Sequence, residues 1–251
     1  MLDNVDTYCM FVGYPRSGHS LVGALLDAHP DAVIAHELDA LALIRKGFNR
    51  EQIYRRLIRN SRHFAESGRE WRGYEYAVTD EWQGRFRKLR VIGDKKGGGS
   101  TRTLASEPEL LDRLRETVGV EMRLIHVIRN PYDNISTMFQ GRSGDQSLEA
   151  VTKRYIALCD TNKNIKNRLN ENAILDLRHE ALVEDPESSL RELCWFLNLE
   201  CEGDYLKHCA SVVSTTPHKS RYEIEWTPDA LAMIRDSVEE YGFLRGYSFE
   251  E

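Results

Sequence analysis

A chain of 251 residues, 41% of them hydrophobic, is long enough to bury a sizeable core, and at this length it reads as one domain over 1–251. Its net charge of -6 argues against a dedicated nucleic-acid binder, whose phosphate-neutralising face would tip the chain basic, yet it allows a local basic pocket for one small anion. The acidic start "MLDNVD", with no long apolar run after it, argues against a signal peptide or an integral membrane segment, and the five cysteines, which form no CxxC pair, read as reduced thiols of a cytoplasmic protein.

The first predicted element is a buried strand over 8–13, "YCMFVG"; beyond a glycine turn, Leu21, Val22, Leu25 and Leu26 fall on one face of a helix. A second strand is expected in "DAVIAHE", then a helix in "LDALALIRKG" that stops near Gly47, then an amphipathic segment in "REQIYRRLIRNSRHF". From 67 to 89 the periodicity fails while Trp71, Tyr74, Tyr76, Trp82 and Phe86 accumulate, and no element is assigned there. "KLRVIGDK" and "VEMRLIHVIRN" read as buried strands ending in charge, joined by a helix over 104–118 that follows a flexible "GGGS". A long helix is expected over 148–167, a strand in "AILDLRHE", and a helix in "PESSLRELCWFLNL" with proline and acid in its first turn. The last helix, "TPDALAMIRDSVEEYGF", starts from a Thr227 cap and Pro228. Strands alternating with helices of this length predict an α/β three-layer sandwich with a mainly parallel central sheet.

The turn after the first strand of such a sheet is the usual phosphate site. Here it is "GYPRSGHS", with the glycine and serine spacing of a P-loop but with His19 in place of the phosphate-gripping lysine and a new cation at Arg16. Glycines let backbone amides curl toward an anion, and the hydroxyls of Ser17 and Ser20 add donors. A P-loop kinase pairs its lysine with a magnesium-binding hydroxyl and a strand-end acid; the lysine is missing and Asp94 is the comparable acid, so nothing in the sequence requires magnesium. "RNPYDNIST" begins where the "LIHVIR" strand ends, so Arg129 is expected on the same rim, with Ser136 or Thr137 facing back to frame a second anion pocket.

"YPRSGHS" together with "IRNPYDNIST" resembles the two nucleotide-binding signatures of the sulfotransferases that use 3'-phosphoadenosine 5'-phosphosulfate (PAPS), and "RHEALVEDPESSLRELCWFLNL" is similar to a stretch those enzymes carry later in the chain. The resemblance implies that Arg16, Ser17, Gly18, His19 and Ser20 grip the 5'-phosphosulfate. It implies that Arg129 and Thr137, with Ser136 beside it, bind the 3'-phosphate; the family more often has threonine at the position of His19. The late "TPHKSRYEIEW" is similar to the basic segment folded over that phosphate, which would add Lys219 and Arg221, although the family's usual arginine-lysine-glycine order is absent. PAPS would then be the co-substrate and 3'-phosphoadenosine 5'-phosphate (PAP) the product, with no metal expected. His208, Cys209 and His218 lack a zinc spacing.

Transfer to a hydroxyl needs a base near the acceptor oxygen. His36 and Glu37 close the second strand beside the anion loop, and strand alternation predicts that one of them enters the pocket. "DAHPDAVIAHE" is also similar to a segment of protein-tyrosine and related bacterial sulfotransferases in which a glutamate at the position of Glu37 is the base, and a lysine matched by Lys95 assists the reacting group. Asp94 is expected to orient Lys95, and Arg16 to stabilise the charge that develops. The acceptor class stays open among protein tyrosine, carbohydrate, lipid and small phenol, the 67–89 aromatics either lining its pocket or filling core. A P-loop phosphotransferase and a non-enzymatic nucleotide-binding module are the alternatives to a sulfotransferase. The oligomeric state is not legible.

Overall fold

The computed structural model describes residues 2–141 and 146–250. Five strands, β1 (Thr7–Gly13), β2 (Ala32–His36), β5 (Val91–Lys95), β6 (Glu121–Ile128) and β7 (Ile174–Arg178), form a sheet in the order β2-β5-β1-β6-β7. All four pairings are parallel, with Thr7 opposite both Val91 and Glu121, Ala32 opposite Val91, and Leu124 opposite Ile174. A separate two-stranded antiparallel hairpin, β3 (Glu70–Trp71) and β4 (Tyr74–Glu75), lies in the stretch that had no predicted element.

Every residue of β1 is buried, as an apolar run needs when both sheet faces are covered. Alternate residues feed two separate cores. Cys9 and Phe11 pack with Val22, Leu25 and Leu26 of α1 (His19–Asp27) and with helices α9 (Pro186–Phe196) and α10 (Gly203–Ser211). Tyr8, Met10 and Val12 pack on the other face with α2 (Ala40–Arg45), α3 (Arg50–Glu66) and α5 (Leu110–Val118). This is the predicted α/β sandwich. A third cluster joins Tyr14 and Ile128 to α6 (Pro131–Gln140), α7 (Leu148–Asn167) and α11 (Pro228–Glu240).

The helix expected over 104–118 is two helices, α4 (Gly98–Ser106) and α5. Glu107 breaks it at φ -137° and ψ 69°, because the residue before a proline is pushed out of the helical region and Pro108 follows. Nor is "GGGS" a flexible lead; its second glycine already opens α4. Two short helices carry no clear periodicity in sequence, α8 (His179–Glu184) and α10. Parallel pairing brings Gly13, His36, Lys95, Ile128 and Arg178 to one edge of the sheet, so the loops that follow them share a rim.

Candidate functional site

The anion loop leaves β1 at Gly13, whose amide donates to Thr101 Oγ1 at 2.9 Å. Two loop carbonyls are held from outside: Asn134 Nδ2 donates to Pro15 O at 2.7 Å, and Arg129 Nη1 to Arg16 O at 3.4 Å. Arg16 sits at φ 68° and Gly18 at φ 95°, and Gly18 caps α1 with no side-chain hydrogen bond. A glycine cap has no side chain to accept from the first amides of α1, which is an arrangement that can receive an anion. Ser17 Oγ donates to Tyr14 O at 3.0 Å and lies 3.4 Å from His19 Nδ1.

Space for the loop comes from neighbours without side chains. A Cβ at Gly97 would lie 2.7 Å from the His19 ring, and one at Gly18 2.8 Å from the His179 ring. The glycines after β5 thus serve close packing against the anion loop.

Lys95 is the hub of the acceptor side. It is buried, and its ammonium donates to Ser20 Oγ at 2.9 Å and to Glu37 Oε1 at 2.8 Å, with His36 Nε2 at 3.4 Å. These three partners match the three hydrogens of the ammonium. Alternation predicted one of His36 and Glu37 in the pocket; both reach Lys95, because Glu37 has left the strand with φ 58°. Lys96 Nζ lies 3.3 Å from Glu37 Oε2, and His19 Nε2 3.9 Å from Oε1. Burial pushes the Glu37 carboxyl up, but His19 and the Lys95 ammonium outweigh it and hold the group well below the usual carboxylate range. Burial and the Lys95 charge lower the His36 imidazole to about 3, so it is neutral. Burial also lowers His19, against the pull of Glu37.

Asp94 does not touch the Lys95 ammonium. It accepts from the amides of Leu38 at 3.1 Å and Ala40 at 2.7 Å, and so holds the turn that carries Glu37. Burial raises it to about 6 despite those two bonds.

The second corner is built on β6 and α6. Arg129 Nη1 donates to Thr137 Oγ1 at 3.2 Å and Nη2 to His218 O at 2.5 Å. Among the described residues no carboxylate is paired with Arg129, and burial lowers its pKa. Thr137 Oγ1 also meets Ser220 Oγ at 2.9 Å, whereas Ser136 is buried and donates to Ser220 O at 2.6 Å. Of the two late cations, Lys219 is exposed, while Arg221 is buried and ion-paired with Asp133 at 2.9 Å. Among the described residues Arg221 Nε and Nη2 have no hydrogen-bond partner.

Three further residues belong to this rim. Glu180 Oε1 accepts from Asn130 N at 2.8 Å and Oε2 from Tyr247 Oη at 2.8 Å, fixing the turn below Arg129. His179 packs on Gly18 with a buried Nδ1 that has no hydrogen-bond partner among the described residues, and burial lowers it to about 4. Asn134 was readable, three residues before Thr137 on the same helical face; His179 needed the knowledge that β7 lies beside β6. Among the described residues no group of three or more His, Cys, Asp or Glu side chains is placed to hold a metal ion, and no helix is long and apolar enough to cross a membrane.

A family model described as "Sulfotransferase family" matches residues 10–203. No curated protein is similar enough to match. Among solved structures, the fold resembles the sulfotransferase domain of the olefin synthase from Synechococcus PCC 7002, with a TM-score of 0.56 and 16% identity over 94% of this chain and 95% of that one. The sulfotransferase domain from the curacin biosynthetic pathway gives 0.55 and 15%, over 93% and 97%. Mouse sulfotransferase SULT7A1, complexed with PAP, gives 0.53 and 15%, over 96% and 87%. At these identities the likeness is one of fold.

Proposed function

Because this chain belongs to the sulfotransferase family, we propose that residues 1–251 act as one domain that transfers a sulfuryl group from PAPS to an acceptor hydroxyl. The observation that carries the reading is the pair of anion sites on one rim. One is the α1 opening, where the cap is Gly18 and so offers the first amides no side-chain acceptor; the other is the buried Arg129 guanidinium, with Thr137 and, among the described residues, no paired carboxylate. A nucleotide with a phosphate on each side of its ribose suits both, and the mouse relative was solved with PAP.

The residues present fit such a co-substrate. The loop amides, Arg16 and the Ser20 hydroxyl serve the 5' side, Ser17 adding its amide while its hydroxyl braces the loop through Tyr14 O, and Arg129 with Thr137 serves the 3' side. Arg221 fixes the covering segment through Asp133, and Ser136 does so through Ser220. PAPS supplies a sulfuryl group joined to a good leaving phosphate. The chain positions it and moves one proton. Glu37 takes the acceptor proton, Lys95 shares its N–H groups between Glu37 and the loop, and neutral His36 walls the acceptor side. Lys95 also brings from β5 the ammonium that a P-loop lysine would have supplied from position 19. The phosphotransferase alternative would need Asp94 for magnesium, and each of its oxygens instead accepts a backbone amide of the turn that carries Glu37. Five unpaired cysteines favour a reducing, cytoplasmic setting.

Calorimetry without magnesium tests the reading. PAP should bind well ahead of ADP and ATP. Magnesium-dependent ATP binding that ignores the 3'-phosphate would replace it with the phosphotransferase.

A further inference from the structure

We propose that the β3-β4 hairpin forms the acceptor subsite and that the acceptor is a phenol, stacked on a shelf made by Phe64, His36, Trp71, Tyr74 and Tyr76. This rests on the sulfotransferase reading and narrows its acceptor hydroxyl to one chemical class.

The hairpin is not filler of either core. Trp71 is 37% and Tyr74 63% exposed, although large rings normally bury most of their surface. Its root, in contrast, is fastened. Arg69 is buried against the fully buried Asp27, which also accepts from Ser61 Oγ at 2.8 Å and Ile34 N at 2.7 Å. Tyr76 N donates to Arg69 O at 3.1 Å, and Gln83 Nε2 donates to Tyr76 O at 2.9 Å. A tied base under exposed rings is a preorganised platform.

The rings continue to the reacting end. His36 stacks on Phe64 at 4.1 Å and 19°, meets Trp71 edge-on at 5.1 Å, and has Tyr76 at 6.5 Å; Tyr74 lies 6.4 Å from Tyr76. The same His36 touches Lys95, and Glu37 is the next residue. A flat ring lying on this shelf carries its hydroxyl toward the Glu37 carboxylate.

Proton chemistry separates a phenol from a sugar or an aliphatic alcohol, which could also lie on aromatic rings. Glu37 is a weak base in its nest of Lys95, Lys96 and His19, and His36 is weaker than a free imidazole. A phenol, with a pKa of about 10, yields its proton to such a base far more readily than an aliphatic hydroxyl close to water's ~15.7. The phenol oxygen bonds to sulfur as the bond from sulfur to the donor's 5'-phosphate oxygen breaks. The electron pair leaves with that phosphate, the proton passes to Glu37, and no atom changes oxidation state.

The test uses the full chain, after PAP binding has been measured. Rates with saturating PAPS are compared for 2-naphthol, N-acetyltyrosinamide, benzyl alcohol and methyl glucoside. A phenol should exceed benzyl alcohol in kcat/KM by roughly 10²-fold or more. Trp71→Leu, at a partly exposed ring, should raise KM for the preferred phenol on the order of 3- to 10-fold while PAP affinity stays unchanged, with Tyr74→Ala as the second variant for KM alone, since Tyr74 also acts on Arg129. Preference for 2-naphthol or for N-acetyltyrosinamide supports the proposal and tells a free phenol from one presented on a peptide. Equal or better use of benzyl alcohol or the glucoside overturns it, as does an unchanged KM in both variants. Absence of PAP binding to the wild type would instead sink the nucleotide reading, and the phenol with it.

Discussion

Two buried cations stand on the same rim in opposite company. Arg129 donates to the carbonyls of Arg16 and His218 and to the Thr137 hydroxyl, all neutral acceptors, and among the described residues Asp133 and Glu180 act on its charge only from beyond contact. Lys95 sits against the Glu37 carboxylate, so that corner carries an ion pair. A buried charge with no carboxylate in contact is costly unless an outside anion supplies one, which suits the Arg129 corner to holding an anion. A buried pair with a neutral imidazole beside it can exchange a proton without gaining net charge; the Glu37 corner is suited to chemistry.

The largest expected effect breaks the second corner alone. Glu37→Gln keeps an acceptor for Lys95 but removes the proton acceptor, so turnover should fall by about 10² to 10⁴ fold with PAP affinity undiminished. His36→Asn should cost less at the chemical step. Near-normal single-turnover transfer by Glu37→Gln, with collapse of His36→Asn, would give the base role to the imidazole.

A smaller effect lies at the seam between loop and hub. Gly97→Ala places a methyl 2.7 Å from the His19 ring at φ 52°, and should lower unfolding stability by about 1 to 3 kcal/mol in urea titrations. Gly47→Ala, also at positive φ but with nothing within 4 Å, should cost less. Equal losses would show that His19 yields and does not brace the loop.

The smallest effect is spread over both corners. Burial lowers His36 to about 3 and His179 to about 4, and lowers His19, His29 and His126 as well. The unfolded chain therefore binds more protons below about pH 6.5, and stability falls as pH falls. Asp94, raised to about 6, and Asp133, also raised, bind protons in the fold first and oppose that trend below about pH 6. The histidines outnumber them, so Tm should drop between pH 7 and pH 5. A rise in Tm would mean that the carboxyls dominate.

What was legible follows from how local each signal is. The β1 run, the glycine turn and α1 are contiguous, and helix 148–167 was bounded by its own pattern. Arg129 follows the end of β6 and Thr137 lies in the second turn of the helix that opens after it, so their meeting was readable. Glu37 at φ 58° was not, since a non-glycine residue in the left-handed region follows from the Asp94 clamp 57 residues away. The β3-β4 hairpin stayed unassigned for the same reason: its root is Arg69 on Asp27, a contact across 42 residues. The break at Pro108 was visible and overridden by helical spacing on both sides. His179 required strand order, which no local pattern carries.

The division of labour between the corners is tested most directly by one comparison, the affinities of PAP and of adenosine 5'-phosphate for the wild type and for Arg129→Ala. If the Arg129 guanidinium holds the 3'-phosphate, the variant should lose about 1.5 to 3 kcal/mol of PAP binding and little of the other ligand's. Equal losses for both nucleotides would contradict the account and leave Arg129 a scaffold for the loop.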